Sequence, residues 1–236
     1  MRKDEILTFT ENIVSKAKSM GIDDIAIITT RVNEVMYKFS NNQPTVAQSW
    51  SSIVISLLIW YKKRSLITEI SISKLDESKV LKVIEDFKST SHLIVESKEY
   101  APLPKGPFKY STIADTYDPK VLDLMRDPTD VVGEAVNVAL EGGVERVAGT
   151  LTLLHYLKAL STSGGITVSD EGTKLHIYIR SFIGKEVTGQ WSTIARTLKD
   201  FNVSEASKMS SELALKGKAK VKVEPIVKVE VPTVSK

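Results

Sequence analysis

The sequence contains no cysteine and only three histidines among its 236 residues. Without cysteine the chain has no disulfides, no thiolate nucleophile and no cysteine-ligated metal. Three histidines leave little material for a zinc site, which needs three convergent histidine or carboxylate ligands. The composition is therefore typical of a cytoplasmic protein, and it argues against metal chemistry carried by this chain.

Long apolar runs and a strong charge of either sign are also missing. The longest apolar run, residues 53–61, is far shorter than the ~20 residues that a membrane-spanning helix needs. Residues 1–5 lead into a mixed polar pattern, so no secretory signal is predicted. The net charge is +3 and the lysines are interspersed with acids, as on a solvated surface. We therefore expect contact with neither a membrane nor a nucleic acid.

Two parts of the sequence show the same order of predicted elements. Residues 37–42, followed by a strand at 53–61, have a counterpart about 120 residues later in residues 157–162 and a strand at 174–182. Two equal copies usually pack around a shared sheet or a pseudo-twofold axis. We therefore predict an α+β fold in which two helix–β-meander–helix repeats form a curved antiparallel sheet flanked by helices.

The first repeat, about residues 4–89, is predicted as a helix, four strands and a second helix. Ile6, Phe9 and Ile13 recur at helical spacing, and Gly21 stands where a C-terminal cap belongs. A basic tip at residues 62–65 joins the last two strands. The predicted bounds are helices 4–20 and 76–88 and strands 25–32, 35–39, 52–61 and 66–73.

A connector, residues 90–126, separates the repeats, and its prolines and tyrosines indicate an extended arm lying over the sheet. The second repeat, about residues 127–217, opens with Asp127 as the N-cap and Pro128 at the first helical position. Asn202 and Glu205 form a capping-box pattern before the last helix. The predicted bounds are a helix at 127–141, strands 145–154, 156–160, 174–182 and 186–195, and a helix from 202.

The tail, residues 218–236, alternates valine with charged residues, as a strand does. Pro225 and Pro232 interrupt the pattern, so each segment is predicted as an edge strand or a loop. Edge strands can add to another sheet. The tail therefore indicates a partner.

Several strings resemble the N-terminal domain of the TldD/PmbA family, also called modulators of DNA gyrase. They are residues 24–39, residues 127–141, residues 160–165 and the string from Gly189 to Trp191. Residues 160–165 are similar to the family's asparagine-serine-x-glycine turn, with Thr162 where asparagine is usual. The resemblance covers roughly residues 5–217, which we take as one domain of that type, with 218–236 as a strand-like or disordered tail.

The resemblance implies a role in peptide processing. The family contains a zinc-dependent peptidase subunit and a related non-catalytic partner, which form a heterodimer around an enclosed cavity. The peptidase motif HExxxH is absent here, because none of His92, His155 and His176 is followed by glutamate. The resemblance therefore implies a stand-alone or truncated domain without a catalytic metal of its own. Zinc would belong to a partner subunit or to a missing C-terminal domain.

The candidate binding residues are in the turn Ser161, Thr162, Ser163, Gly164 and Gly165. Its backbone amides could face an anion, a peptide carboxylate or a partner. Alternatively, this is a tight turn in which glycine supplies a positive φ. No catalytic or metal-binding residue is predicted. A zinc site remains an alternative if His155 and His176, on neighbouring strands, face each other.

Three functions stay open at this point. The first is an interaction or substrate-gating domain of a TldD/PmbA-type peptidase complex, dimeric with itself or with a catalytic relative. If the chain is a fragment, its parent would be a metallopeptidase-family protein. The second is an independent enzyme built around the two strand histidines and the turn at residues 161–165. The third is a small module that binds peptide or nucleic acid.

Overall fold

Apolar residues alternate with polar ones along the strands, and this alternation gives the sheet one buried face. In the fifth strand, Leu175 and Ile177 are fully buried, whereas His176 between them is partly exposed. Successive side chains of a strand point to opposite faces, so a period of two marks a sheet covered on one side. The computed structural model describes residues 2–111 and 113–218 and shows this arrangement.

In the described residues the elements follow the chain in a repeated order of helix, three strands and helix. Short 3₁₀ turns at Ser91–Leu93 and Leu198–Asp200 follow the second helix and the last strand. The helices are α1 (Lys3–Ser19), α2 (Glu77–Thr90), α3 (Pro119–Leu124), α4 (Thr129–Glu141) and α5 (Val203–Lys216). The strands are β1 (Asp24–Ser40), β2 (Gln43–Tyr61), β3 (Arg64–Ile72), β4 (Arg146–Thr162), β5 (Thr167–Ile183) and β6 (Val187–Ala195).

The strands form one six-stranded antiparallel sheet in the order β3-β2-β1-β4-β5-β6. β1 and β4 lie side by side at its centre and pair from Ala26 opposite Thr162 to Phe39 opposite Gly149. The prediction of an α+β fold with antiparallel sheet and flanking helices is confirmed. The descent of the two halves from one repeated unit stays a prediction.

The helices pack on one face of this sheet in two groups. α1 and α2 cover β1–β3, with Ile13, Ile55 and Ile84 fully buried between them. α1 also reaches β4, where Ile6 packs against Leu157 and Ala159. α3, α4 and α5 cover the strands β4–β6, where Leu151 and Ile177 are fully buried. The sheet thus carries two large hydrophobic cores and, in the described residues, a third small cluster where α1 meets β4.

The prediction of four strands in each half is wrong, because each half has three. Residues 25–32 and 35–39 belong to the single strand β1, and residues 145–160 fall almost wholly within β4. Asn33 falls between the two predicted strands, yet it pairs with both Ser51 of β2 and His155 of β4. By strand register these three residues lie on the helix-facing side, where Asn33 is partly exposed and Ser51 is exposed. Their polarity reflects incomplete cover by the helices at Asn33 and Ser51 and not a reversal of the chain.

Helix starts follow the predicted capping chemistry with two differences. Asn202 caps α5 as predicted, since its Oδ1 accepts a hydrogen bond from the Glu205 N–H at 2.9 Å. Asp127 accepts from the Thr129 N–H at 3.1 Å, but α4 begins at Thr129, one residue after the predicted first helical position, Pro128. The connector contains α3, which was not predicted. Asp118 and Pro119 start α3 with the aspartate–proline signal that predicted α4.

The predicted tail strands at residues 219–236 lie outside the described residues. Among the described residues, none of the helices has the length and apolar content required to cross a membrane.

Shortening a buried side chain on the helix-facing side of the sheet should destabilise the protein far more than shortening an exposed side chain on the opposite face. Ile177→Ala, at a fully buried position, should lower the free energy of unfolding by about 2–5 kcal/mol, through lost burial and a cavity. Ile67→Ala, at a side chain that is 78% exposed, is the matched control and should change it by less than about 0.5 kcal/mol. Urea denaturation of both variants measures the difference, and equal losses would contradict this division of the faces.

Candidate functional site

The face of the sheet opposite the helices carries an apolar patch. It consists of Ala26, Ile28, Leu58, Ile67 and Leu160, which we call the open-face patch. Ile67 is 78% exposed and Ile28 is 36% exposed. A contiguous apolar patch on a sheet face is the usual mark of an interaction surface.

Strand register makes this patch continuous across β3, β2, β1 and β4. Ala26 of β1 lies opposite Leu58 of β2, and Leu58 lies opposite Ile67 of β3. Ile28, two residues along β1 on the same face, lies opposite Leu160 of β4. Directly opposite side chains in antiparallel strands point to the same face, so the five residues share one surface.

The β5 side of the same face is polar. The Tyr156 ring covers Gly172, where a Cβ would overlap the ring, and the Tyr156 hydroxyl donates to Asp170 at 3.0 Å. His176 lies further along β5, where burial and the nearby Lys174 charge lower the pKa of its imidazole. On β5 the open face thus carries polar and charged side chains.

The predicted turn is held by the chain's own backbone and side chains. Ser161 and Thr162 end β4, and Ser161 is 1% exposed on the helix-facing side. Ser163 contacts the start of β1, since its N–H donates to the Ile25 carbonyl at 2.8 Å. The Ser163 hydroxyl accepts from the Ile25 N–H at 3.0 Å and donates to Asp24 Oδ1 at 2.7 Å. The turn therefore joins β4 to β1.

The connector packs against the two glycines of this turn. The Gly106 N–H donates to the Gly164 carbonyl at 2.8 Å, and a Cβ on Gly164 would overlap the Pro104 carbonyl oxygen. Gly165 has φ of +82°, a left-handed conformation that favours glycine. Both glycines are explained by the turn and by the arm beside it.

The turn's amides are largely used within the chain. The Gly165 N–H donates to the Thr162 carbonyl at 3.1 Å, and the Ser163 N–H donates to β1. An anion site formed by these two amides is therefore not favoured. Binding of a peptide or a partner at Ser161, Thr162, Ser163, Gly164 or Gly165 stays a prediction.

Asp24 anchors the connector at the edge of the open-face patch. It is 8% exposed and accepts a hydrogen bond from the Tyr100 hydroxyl at 2.6 Å. The Tyr100 ring lies 5.0 Å from that of Trp60, measured between centroids. The hydrogen bond to Asp24, then burial and the Asp24 and Asp23 charges, raises the pKa of Tyr100 to about 12. The tyrosine therefore stays protonated as a donor to a nearly buried carboxylate.

The two strand histidines lie on opposite faces of the sheet, so the expectation that they could face each other is wrong. His155 is opposite Thr173, and His176 is opposite Thr152, an odd number of residues away along β4. His155 lies on the helix-facing side, with Nε2 2.8 Å from Glu171 Oε1. Across residues 2–111 and 113–218, no three potential metal ligands come together. These histidines cannot share one zinc ion.

The open-face patch was not predicted, although the sequence contains a signal for it. Residues 53–61 are apolar at nearly every position, which places apolar side chains on both faces of β2. Ile28, adjacent to the buried Ile27, gives the same signal in β1. Such runs identify a strand whose second face is also suited to contact.

No family model and no curated protein matches the sequence. Solved structures do match. A candidate modulator of a DNA gyrase from Thermotoga maritima is 19% identical, with a TM-score of 0.68 over 88% of this chain and 47% of that chain. A candidate modulator of DNA gyrase from Bacteroides thetaiotaomicron is 16% identical, with a TM-score of 0.75 over 94% of this chain and 52% of that chain.

TldE from Thermococcus kodakarensis is 16% identical, with a TM-score of 0.66 over 88% of this chain and 47% of that chain. The fold is that of the TldD/PmbA family. The resemblance predicted from the sequence is confirmed at this level. The chain spans about half the length of the solved structures it matches.

Removing the Tyr100 hydroxyl should loosen the connector. Tyr100→Phe takes a donor from the nearly buried Asp24, so the free energy of unfolding should fall by about 1–3 kcal/mol. Tyr110→Phe, at a tyrosine that is 58% exposed in the same connector, is the control and should have little effect. Denaturation and limited proteolysis of the connector measure both effects. Equal behaviour of the two variants would show that the bond to Asp24 does not hold the arm.

The raised pKa of Tyr100 predicts a loss of stability at high pH. An acid whose pKa is higher in the folded state stabilises that state fully below its unfolded pKa of 10.0, and the contribution is lost as pH rises through about 12. Wild-type stability should therefore fall more steeply than that of Tyr100→Phe between these pH values. Parallel denaturation curves across this range test the idea, and identical slopes would contradict it.

Proposed function

We propose that this chain is a non-catalytic partner or substrate-gating domain of a TldD/PmbA-type peptide-processing metallopeptidase complex. The observation that carries the proposal is the open-face patch, an apolar surface on the sheet face that α1–α5 leave uncovered. In this proposal the open face forms part of the wall along which a peptide passes. The fold shared with TldE supports it.

The chemistry of the patch suits an extended, largely apolar peptide segment. Ile28 and Ile67 offer exposed aliphatic surface. The patch itself contains no charged side chain, so it would select by shape and apolar contact and not by the charge of the peptide. Glu69 of β3 and Lys158 of β4 lie on the same face two residues along from Ile67 and Leu160, and these charges would favour the polar ends of a segment.

The reactive metal is proposed to come from elsewhere in the complex. The sequence has no HExxxH motif, and His155 and His176 point to opposite faces of the sheet. A partner subunit, or a further part of a longer metallopeptidase-family protein, would supply zinc. Because the chain spans about half of its structural matches, either arrangement is compatible with the shared fold.

An independent peptide-binding module is the second candidate, and the same patch favours it. The two proposals differ in one outcome. A gating subunit changes the hydrolysis of a peptide by a catalytic relative, whereas an independent module binds the peptide without affecting that enzyme.

Placing a charge in the open-face patch should weaken peptide binding. The probe is a fluorescently labelled, uncharged decapeptide with alternating apolar residues, followed by fluorescence anisotropy. Ile67→Lys should raise its Kd by about tenfold, because the change desolvates a charge in the contact. Ile113→Lys is the matched control, since Ile113 is 76% exposed in the connector away from the strands.

The same preparations test the catalytic half of the proposal. The isolated chain should not hydrolyse the peptide, and hydrolysis by an added HExxxH subunit of the TldD/PmbA type should change in its presence. Hydrolysis by the purified chain alone would overturn the non-catalytic role. Equal binding by Ile67→Lys and Ile113→Lys would remove the open-face patch from the proposal.

A further inference from the structure

β2 is about twice as long as its outer neighbour, and the excess forms an unpaired edge. β3 pairs with β2 from Ile53 to Tyr61, whereas β1 pairs with it from Gln43 to Trp60. Within the described residues, 43–52 therefore have a strand partner on one side only. Residues 43–51 are all exposed. An edge of this kind presents a row of free backbone N–H and C=O groups.

Most of this edge lacks the features that normally block pairing. Folded proteins protect edges with charged side chains, prolines or bulges. Pro44 and the register shift between Lys38 and Phe39 protect the first residues of β2. From Thr45 to Ser51 the sequence is uncharged and contains no proline. We call residues 45–51 the free edge.

The free edge is complementary to itself. Val46 and Trp50 are exposed large hydrophobic residues on this segment, at 40% and 43%, and they lie two residues to either side of Gln48. Suppose that two identical edges pair antiparallel about a twofold axis at Gln48. Val46 of each copy then lies opposite Trp50 of the other copy, so the contact occurs twice. Val46 and Trp50 are an even number of positions apart, so both side chains lie on the same face of the sheet. A pair of an aromatic and a β-branched side chain stabilises such a contact. On the other face Ala47 would lie opposite Ser49.

We propose that a second copy of this chain pairs with the free edge, antiparallel and centred on Gln48. The contact joins two six-stranded sheets into one continuous sheet. It is isologous, so the same surface serves both copies and the assembly closes as a dimer. Because the free edge is uncharged, the symmetric contact brings no like charges together. The inference concerns self-association and does not depend on the proposed peptide function.

The outer strands of the sheet fit this arrangement less well. On β6, Trp191 and Ile194 are exposed, but they are an odd number of positions apart and therefore lie on opposite faces of the sheet. A twofold antiparallel pair cannot bring them together. On β3, Arg64 and Glu69 place charges along the strand. The free edge of β2 is therefore the surface to which we assign the second copy.

Single cysteines test the register directly, because the natural sequence has none. In the proposed dimer the two copies of residue 48 face each other with Cβ atoms about 4.5–5.5 Å apart, near the separation that a disulfide spans. Gln48→Cys should therefore form a disulfide-linked dimer under mild oxidation. Val95→Cys is the control for random collisions, since Val95 is 88% exposed in the connector.

A mixed pair of variants tests the same register independently. Val46→Cys and Trp50→Cys should each cross-link poorly alone, because equivalent positions lie roughly 14 Å apart along the strands. Mixed together they should cross-link, since residue 46 of one copy faces residue 50 of the other. Gln48→Cys dimer formation no faster than that of Val95→Cys would overturn the proposal, as would cross-linking of each variant alone at the rate of the mixture.

Sedimentation of the wild-type chain gives the measurement without cysteine. A reversible dimer is expected, and Trp50→Lys should raise its Kd by about tenfold or more, while Val95→Lys leaves it unchanged. Val46→Lys is a second edge variant should Trp50→Lys fail to fold, as judged by circular dichroism. A wild-type chain that stays monomeric up to about 1 mM would overturn the inference. Loss of peptide binding with the dimer intact would instead count only against the proposed peptide function.

Discussion

The antiparallel pairing of β1 with β4 is the contact on which the rest of the molecule depends. It joins the half that contains α1 and α2 to the half that contains α4 and α5. Within residues 2–111 and 113–218, each of these strands otherwise has only one neighbour, and two separate three-stranded sheets would leave two long edges unpaired. The bond between Ser163 and Ile25 fixes the same junction at its end. The connector then crosses the junction through Tyr100 and Asp24.

The placement of all helices on one face determines where function can lie. The helix-facing side carries the apolar cores, and polar residues on it, such as His155 and Glu171, pair with each other. Both contact surfaces that we propose lie away from these cores, on the other face and at the strand edge. The open face combines the apolar patch with charged side chains on both sides of it, among them Glu69 of β3 and Asp170 of β5. A ligand that lies across the strands would meet both environments.

The elements were predictable where local chemistry and tertiary structure agree. Asn202 with Glu205 marks α5, and the glycine-rich turn marks the end of β4. Asn33 was misread because polarity in the middle of a strand resembles a turn, and only the positions of the helices show otherwise. The face on which each histidine lies depends on strand register. An error of one residue in that register moves the side chain to the opposite face. The open-face patch depends on four strands together, so no single segment of sequence could define it.

The continuity of β1 and β4 has a consequence for how the protein can change during evolution. Inserting or deleting one residue within either strand would exchange its core side chains with its open-face side chains, because side chains alternate along a strand. The shifted register would disturb the pairing with both neighbouring strands. Length variation among relatives should therefore be confined to the hairpin tips and the connector. The central strands would admit only substitutions.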